Sequence, residues 1–339
     1  MQPEPSPPGP PPLVVRFGAM GDLVLILPMI RELARRHGTP VDVLCNGGWA
    51  RPLLAGQPGV GTVHLLARRG LPYLLSAEQR ALVAQLRAIG PRPAWHCDTD
   101  DRCIALLARA GIAAPALRRA SQLPIADGEH LIDYWLRFGR DGDGAAEVGD
   151  PRLVVDPAEA AALPAWLAAR GIAGRRLVLI QPGNKRTMRR GLRRRPSNTK
   201  WWPEANWARV VRAVAERDPG AAILLLGVQQ EAGLNDEILA LAGVAAARNI
   251  ATDLPLPRLL ALQAVASSMI SVDTGPAHSA AALGCPVVVL FGVADPVRIR
   301  PRGDATPVTV LTGTIDGQPA MTGIGAADVI AAWDALPKR

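Results

Sequence analysis

The chain has 339 residues, which makes two domains of about 150 residues each the expectation. Although 49% of residues are apolar, the longest apolar runs, 23–30 and 286–291, fall short of the roughly 20 residues that cross a bilayer, so no transmembrane helix is predicted. The net charge of +8 is uneven: residues 184–200 hold eight Lys or Arg and no Asp or Glu, which suits an anionic partner, yet no Trp, Phe or Tyr interleaves that run and nucleic acid is not expected.

Residues 1–12, MQPEPSPPGPPP, lack the basic flank and apolar centre of a secretory signal, and their prolines predict a disordered or extended tail. Strands are then predicted at 13–17, 41–45, 60–66 and near 92–96. Between them fall helices 22–36, 49–55 and 77–89, the last with apolar spacing at Leu82, Val83, Leu86 and Ile89. Residues 139–151 read as a surface loop, and a helix at 157–170 closes on Gly171. The second half repeats the rhythm, with strands 176–181, 221–226, 268–272 and 286–291 and helices 204–217, 229–242, 256–266 and 275–284. A last helix, 325–336, can pack on either half. This alternation predicts two α/β domains with parallel sheets, 13–172 and 173–339.

Four cysteines, Cys45, Cys97, Cys103 and Cys285, are few and irregularly spaced, which fits inert thiols in a reducing compartment. His96, Cys97 and Cys103 form too weak a pattern to predict a metal, and none is expected.

Three loops carry residues suited to chemistry. Ser271–His278, SVDTGPAH, joins a strand to a helix. Asp273 or Thr274 suits the N-cap, Pro276 the first turn, and Gly275 a close approach of ligand to backbone. The N–H groups at 274–276 and the helix dipole then make an anion site, with His278 one turn in. The same stretch serves equally as an ordinary capped helix, and His278 as a packing residue. Lys200 stands just ahead of Trp201-Trp202-Pro203-Glu204, which opens helix 204–217, so two loops at the carboxyl ends of strands converge where open α/β sheets bind ligands. Glu231, after strand 221–226, is placed to accept ribose hydroxyls, or is a surface glutamate favoured by its helix dipole. In RFGAMGD, Asp22 reads first as a helix cap. The loop is neither a Walker A motif nor GxGxxG, so its carboxylate is a candidate general base.

The chain resembles glycosyltransferase family 9, the heptosyltransferases. Three stretches carry the likeness: RFGAMGDLVLILPMIREL, KWWPEANWARVV and SVDTGPAHSAAALGCPVVVLFGVADP. The resemblance implies a GT-B architecture, two Rossmann-like domains facing across a cleft, with acceptor on the first and nucleotide-sugar on the second. It implies inverting transfer of heptose from ADP-heptose to a lipopolysaccharide core hydroxyl, with no metal or cofactor. Asp22 matches the proposed base, Lys200 the lysine on the donor phosphates, and Asp273, Thr274, Gly275 and His278 the donor-binding stretch. Gly183 and Asn184 fall in a phosphate-contacting loop, and Gly18, Met20 and Gly21 line the acceptor side. Gly18 stands where relatives often carry serine, and the loop before Lys200 is longer and more basic than expected.

Such an enzyme is expected in the cytoplasm, its basic loop meeting a phosphorylated glycolipid or the anionic inner leaflet. Three other readings stay open. They are transfer from another nucleotide-sugar to a metabolite or protein, a non-catalytic nucleotide-sugar-binding homologue, and a nucleotide-sugar epimerase.

Overall fold

A computed structural model describes residues 9–98, 101–140, 148–185, 187 and 198–339. Most of the expected tail and most of the basic loop, 186 and 188–197, lie outside the described residues. The chain forms two compact units that divide at Gly149/Asp150, ahead of the 172/173 boundary expected from sequence. The reason is the helix 157–168: Leu163 and Ile172 are buried in the core of the second unit, so this helix belongs there.

In the N-terminal unit the order is β1 (Leu13–Val15), α1 (Met20–His37), β2 (Val41–Cys45), α2 (Ala50–Leu54), β3 (Val60–Leu65), α3 (Ala77–Ile89), β4 (Ala94–His96), α4 (Ile104–Arg109), β5 (Leu117–Arg119) and α5 (Leu131–Arg140). The sheet is parallel, in the order β3-β2-β1-β4-β5. β1, β2 and β4 are buried throughout, as strands covered on both faces must be. The stretch Leu23–Ile30 of α1 is apolar and buried all round, which fits its place between the sheet and α5, where Met29 packs against Gly139, while Arg35 and Arg36 in the last turn are exposed. The helix begins two residues earlier than predicted and runs through Pro28, and α5 was not predicted.

In the C-terminal unit, α6 (Pro157–Ala168) precedes β6 (Leu177–Gln181), α7 (Glu204–Arg217), β7 (Ala222–Leu225), α8 (Ala232–Ala242), β8 (Ala247–Asn249), α9 (Leu256–Val265), β9 (Ser268–Val272), α10 (Gly275–Ala282), β10 (Val287–Phe291), α11 (Pro296–Ile299), β11 (Val308–Thr312), the ribbon β12–β13 (Thr314–Ile315, Gln318–Pro319) and α12 (Ala326–Ala335). Its main sheet is parallel, ordered β11-β10-β9-β6-β7-β8, with one apolar core on each face. α12 packs on this unit, through Val329 and Trp333, which resolves its assignment. No described helix is long and apolar enough to cross a membrane.

Both sheets reverse strand order beside their first strand, at β1/β4 and at β6/β9. Open α/β sheets bind ligands at the carboxyl ends of such strand pairs.

Candidate functional site

At the β6/β9 reversal, Gln181 and Ser271 lie level at the ends of their strands. Beyond them the chain turns into the loop that returns at Lys200 and into the turn that starts α10. The Lys200 ammonium donates to the Asp273 carbonyl (2.8 Å) and to Asp273 Oδ2, so it sits directly over that turn. His278 Nε2 faces Asp273 Oδ1 at 3.9 Å from the other side. Asp273 and His278 are buried, while a third of the Lys200 side chain remains exposed. Burial alone would raise the Asp273 carboxyl, but His278 and the Lys200 charge outweigh it and hold the group below the usual carboxylate range.

The start of α10 has no side-chain cap. Thr274 occupies the N-cap position, but its hydroxyl donates to the Val272 carbonyl instead. Pro276 has no N–H to offer, so the expected 274–276 donor set reduces to Thr274 and Gly275, and Ala277 N–H already bonds Thr274 O. An ammonium, an uncapped helix end and a buried histidine thus meet at one point, an arrangement suited to a phosphate.

Asn184 fixes the approach to this point. Its amide donates to the Lys200 carbonyl (3.2 Å), and Asn198 bonds both Lys200 N–H (3.2 Å) and Thr187 (3.2 Å), so the two ends of the basic loop are tied together. Asn184 is therefore a brace of the lysine loop as found here. Gly183 has a separate reason to be glycine, since a Cβ there would lie 2.2 Å from Glu231 Oε1.

Glu231 is only 5% exposed, although sequence reasoning left a surface role open. Burial pushes its carboxyl up to about 7, against weaker opposition from Val228 N–H and the Gln181 amide. It lies past the end of β7, next to β6, one strand away from Lys200. Gln181, whose amide also reaches Gly183 O, was not singled out by sequence because it ends an otherwise apolar strand.

The N-terminal unit presents a different chemistry at its β1/β4 reversal. Asp22 is not the cap of α1 but its third residue, with Ala19 at the N-cap. One carboxylate oxygen accepts Ala19 N–H (2.7 Å) and the other accepts Arg16 (2.6 Å). Arg16 also donates to Cys97 O (2.7 Å), and Phe17 N–H to Asp98 (2.9 Å), so the loops after β1 and β4 are laced together. The Asp22 side chain remains 30% exposed. Gly18 is required here, because a Cβ would lie 2.6 Å from the Asp22 carboxylate. Met20 and Gly21 form the first residues of α1 below that carboxylate. Arg16 and Asp98 were missed by sequence reasoning. A charge ending the apolar run LVVR was the available signal for Arg16.

Among the described residues no group of three His, Cys, Asp or Glu is placed to hold a metal. Burial drives the Cys97 thiol far above its ordinary range, and Cys45 and Cys285 up to about 12, which removes them as reactive thiolates.

Residues 150–316 match the family model for glycosyltransferase family 9 (heptosyltransferase). No curated protein matches the chain by sequence. Among solved structures, the ADP-heptose LPS heptosyltransferase II of E. coli is similar at a TM-score of 0.73 and 21% identity, over 96% of this chain and 98% of that one. A family 9 glycosyl transferase from Veillonella parvula DSM 2008 gives a TM-score of 0.79 at 14% identity over 95% of each chain. E. coli heptosyltransferase WaaC with ADP gives 0.69 at 21% identity, over 95% of this chain and 98% of that one. These likenesses establish the fold, two Rossmann-like units of the GT-B class.

Proposed function

We propose, for a chain whose residues 150–316 match the glycosyltransferase family 9 model, that it moves a heptose from ADP-heptose onto a sugar hydroxyl of a lipopolysaccharide core, with inversion and without a metal. The observation that carries this reading is the meeting of Lys200, Asp273 and His278 over the uncapped start of α10. That arrangement supports a nucleotide diphosphate on the C-terminal unit, and the solved relative with ADP supports the same ligand class.

In this reading Glu231 accepts the ribose hydroxyls, and the diphosphate lies against Lys200, His278 and the N–H groups of Thr274 and Gly275. The acceptor is held by the N-terminal unit along Gly18, Met20 and Gly21. Asp22 takes the proton of the acceptor hydroxyl, using lone pairs that Arg16 and Ala19 leave unused. The acceptor oxygen then forms its bond to the anomeric carbon as the bond to the diphosphate oxygen breaks on the opposite face. ADP leaves with the negative charge, which Lys200 and the helix end stabilise by about 3 kcal/mol for each well-placed donor. Arg16 positions the base, and Asp273 positions the lysine. We place the reaction in the cytoplasm, where nucleotide-sugars and a lipid-linked acceptor meet.

The test is a screen of nucleotide-sugars against truncated core acceptors, followed by ADP release and product mass. Transfer from ADP-heptose alone is the expected result. Faster transfer from another nucleotide-sugar moves the assignment to a different donor, and conversion of donor with no acceptor present moves it to an epimerase.

A further inference from the structure

We propose that the turn 71–75 of the N-terminal unit is a membrane-docking tip that seats Leu74 and Leu75 in an anionic bilayer surface. Leu71, Leu74 and Leu75 are 42%, 80% and 77% exposed. Single exposed leucines need no explanation, but three within five residues on one turn form a patch.

The turn is held in this outward presentation. The Gln79 amide donates to Arg68 O and Leu71 O (both 2.9 Å), and Glu78 accepts the N–H groups of Ala67 (2.7 Å) and Arg68 (3.1 Å). Leu75 N–H bonds Pro72 O (3.0 Å), Ser76 N–H bonds Tyr73 O (3.2 Å), and Arg80 clasps Leu74 O (2.5 Å). Tyr73 packs down against the core beneath the Arg109 guanidinium, 4.7 Å from its ring centre. With Tyr73 anchored inward, the leucines that follow it point out.

Charge decides the occupant. The segment 66–80 carries Arg68, Arg69 and Arg80 against one acid, Glu78, whose two oxygens are engaged by backbone N–H groups. Arg109 adds a fourth guanidinium beside the turn. An apolar tip flanked by arginines, with Arg80 on the Leu74 carbonyl, Arg109 over Tyr73 and Arg69 over Phe17, matches the order of a lipid surface, with acyl chains below anionic phosphates. The turn follows β3 in the same parallel sheet as β1, so it stands on the carboxyl edge of that sheet, as does the Asp22 loop. Resting on the function proposed above, the tip would bring a lipid-linked acceptor to the edge that carries the base.

The experiment uses the full chain and vesicles of phosphatidylcholine with or without phosphatidylglycerol, measured by co-sedimentation in the absence of donor and acceptor. The wild type is expected to bind the anionic vesicles. Leu74→Ser with Leu75→Ser weakens that binding about tenfold or more while keeping every basic residue, including those of 184–200. An unchanged ADP-induced rise in Tm shows that the variant is folded, and transfer to a water-soluble acceptor stays at the wild-type rate. Equal vesicle binding by variant and wild type overturns the proposal. So does a wild type that ignores vesicles, and a shift of the variant from dimer to monomer would then assign the leucines to a second copy. Because partitioning is read without turnover, failure of heptosyl transfer leaves the docking result standing.

Discussion

The two units share one strand plan and place opposite charges at its reversal. Beside β1 and β4 stands a partly exposed carboxylate, Asp22, braced by an arginine from its own loop. Beside β6 and β9 stands a partly exposed ammonium, Lys200, braced by a buried aspartate and backed by a histidine. The difference lies in what closes each helix start. The Asp22 carboxylate, from the first turn of α1, accepts the N-cap N–H of Ala19, so a negative side chain already sits at that helix end. At α10 no side chain does so, and the positive end stays open for a ligand anion. In the proposed reading, one fold thus yields a proton acceptor in one unit and an anion site in the other.

Removing the charge on the first side is expected to produce the largest effect. Asp22→Asn retains an oxygen for Ala19 N–H but loses basicity, so kcat should fall on the order of 10²–10⁴-fold with little change in donor KM. Stability should hardly move, since a partly exposed ion pair contributes about 0–1 kcal/mol. Steady-state ADP release with thermal melting checks both. Near-wild-type kcat in the Asp22→Asn variant would dismiss Asp22 as the base and leave the two reversals without a functional contrast.

On the second side, Lys200→Met is expected to lower kcat about 10²–10³-fold and to weaken ADP as well, because in the proposed reading the lysine meets the diphosphate in ground and transition states. It also tests the brace. The folded Asp273 carboxyl is held below its ordinary value, so its contribution to stability is present above that value and lost as pH falls through the folded one. Without the ammonium this depression shrinks. The variant should lose about 1–3 kcal/mol near neutral pH, a range set between exposed and fully buried pairs, and unfold at a higher pH on the acid side. A melting curve against pH reads this directly; an unchanged acid limb would mean that His278 alone holds Asp273.

Much of this contrast was legible in the sequence, for physical reasons. Buried parallel strands such as VDVLC and VVVLF are continuous apolar runs, and turn residues bracket them, so the core strands of both sheets were placed correctly. The edge strands β5 and β8 are three residues long, half-buried and contain arginine, so no hydrophobic pattern announces them. LIDYWLRFGR carries a clear helical period, with Ile132, Trp135, Leu136 and Gly139 buried at i, i+3, i+4 and i+7, so α5 was legible in the sequence although it was not predicted. Lys200 and the Asp273 turn could be brought together because both follow strands of one sheet. The pairing of Arg16 with Asp22 and of Gln181 with Glu231 depends on rotamers and close backbone approach, which spacing along the chain does not encode. The unit boundary was misplaced because α6 looks like a linker helix until Leu163 is seen in the second core.

Glu231 offers the smallest effect on ligand handling and a comparison within one unit, since it follows a strand of the same sheet as Asp273 but is displaced in the opposite direction. Burial raises it to about 7 from an ordinary 4.5, whereas Asp273 is lowered. An acid whose folded value is raised binds its proton more tightly in the folded state, so the protein loses stability as pH climbs from about 4.5 to about 7. That window corresponds to a loss on the order of 3 kcal/mol in total. Glu231→Gln keeps the shape and removes the titration, so its Tm should not fall across the same range. A ribose hydroxyl donates more strongly to the ionised carboxylate than to the neutral acid, so ADP affinity of the wild type should rise about tenfold between pH 6 and 8 from this group. The phosphates of ADP titrate near the same range in both proteins. The difference between the two pH profiles, measured by calorimetry, therefore isolates Glu231: a wild-type profile steeper than that of the glutamine variant places its carboxylate on the ribose, and parallel profiles remove it from the donor site.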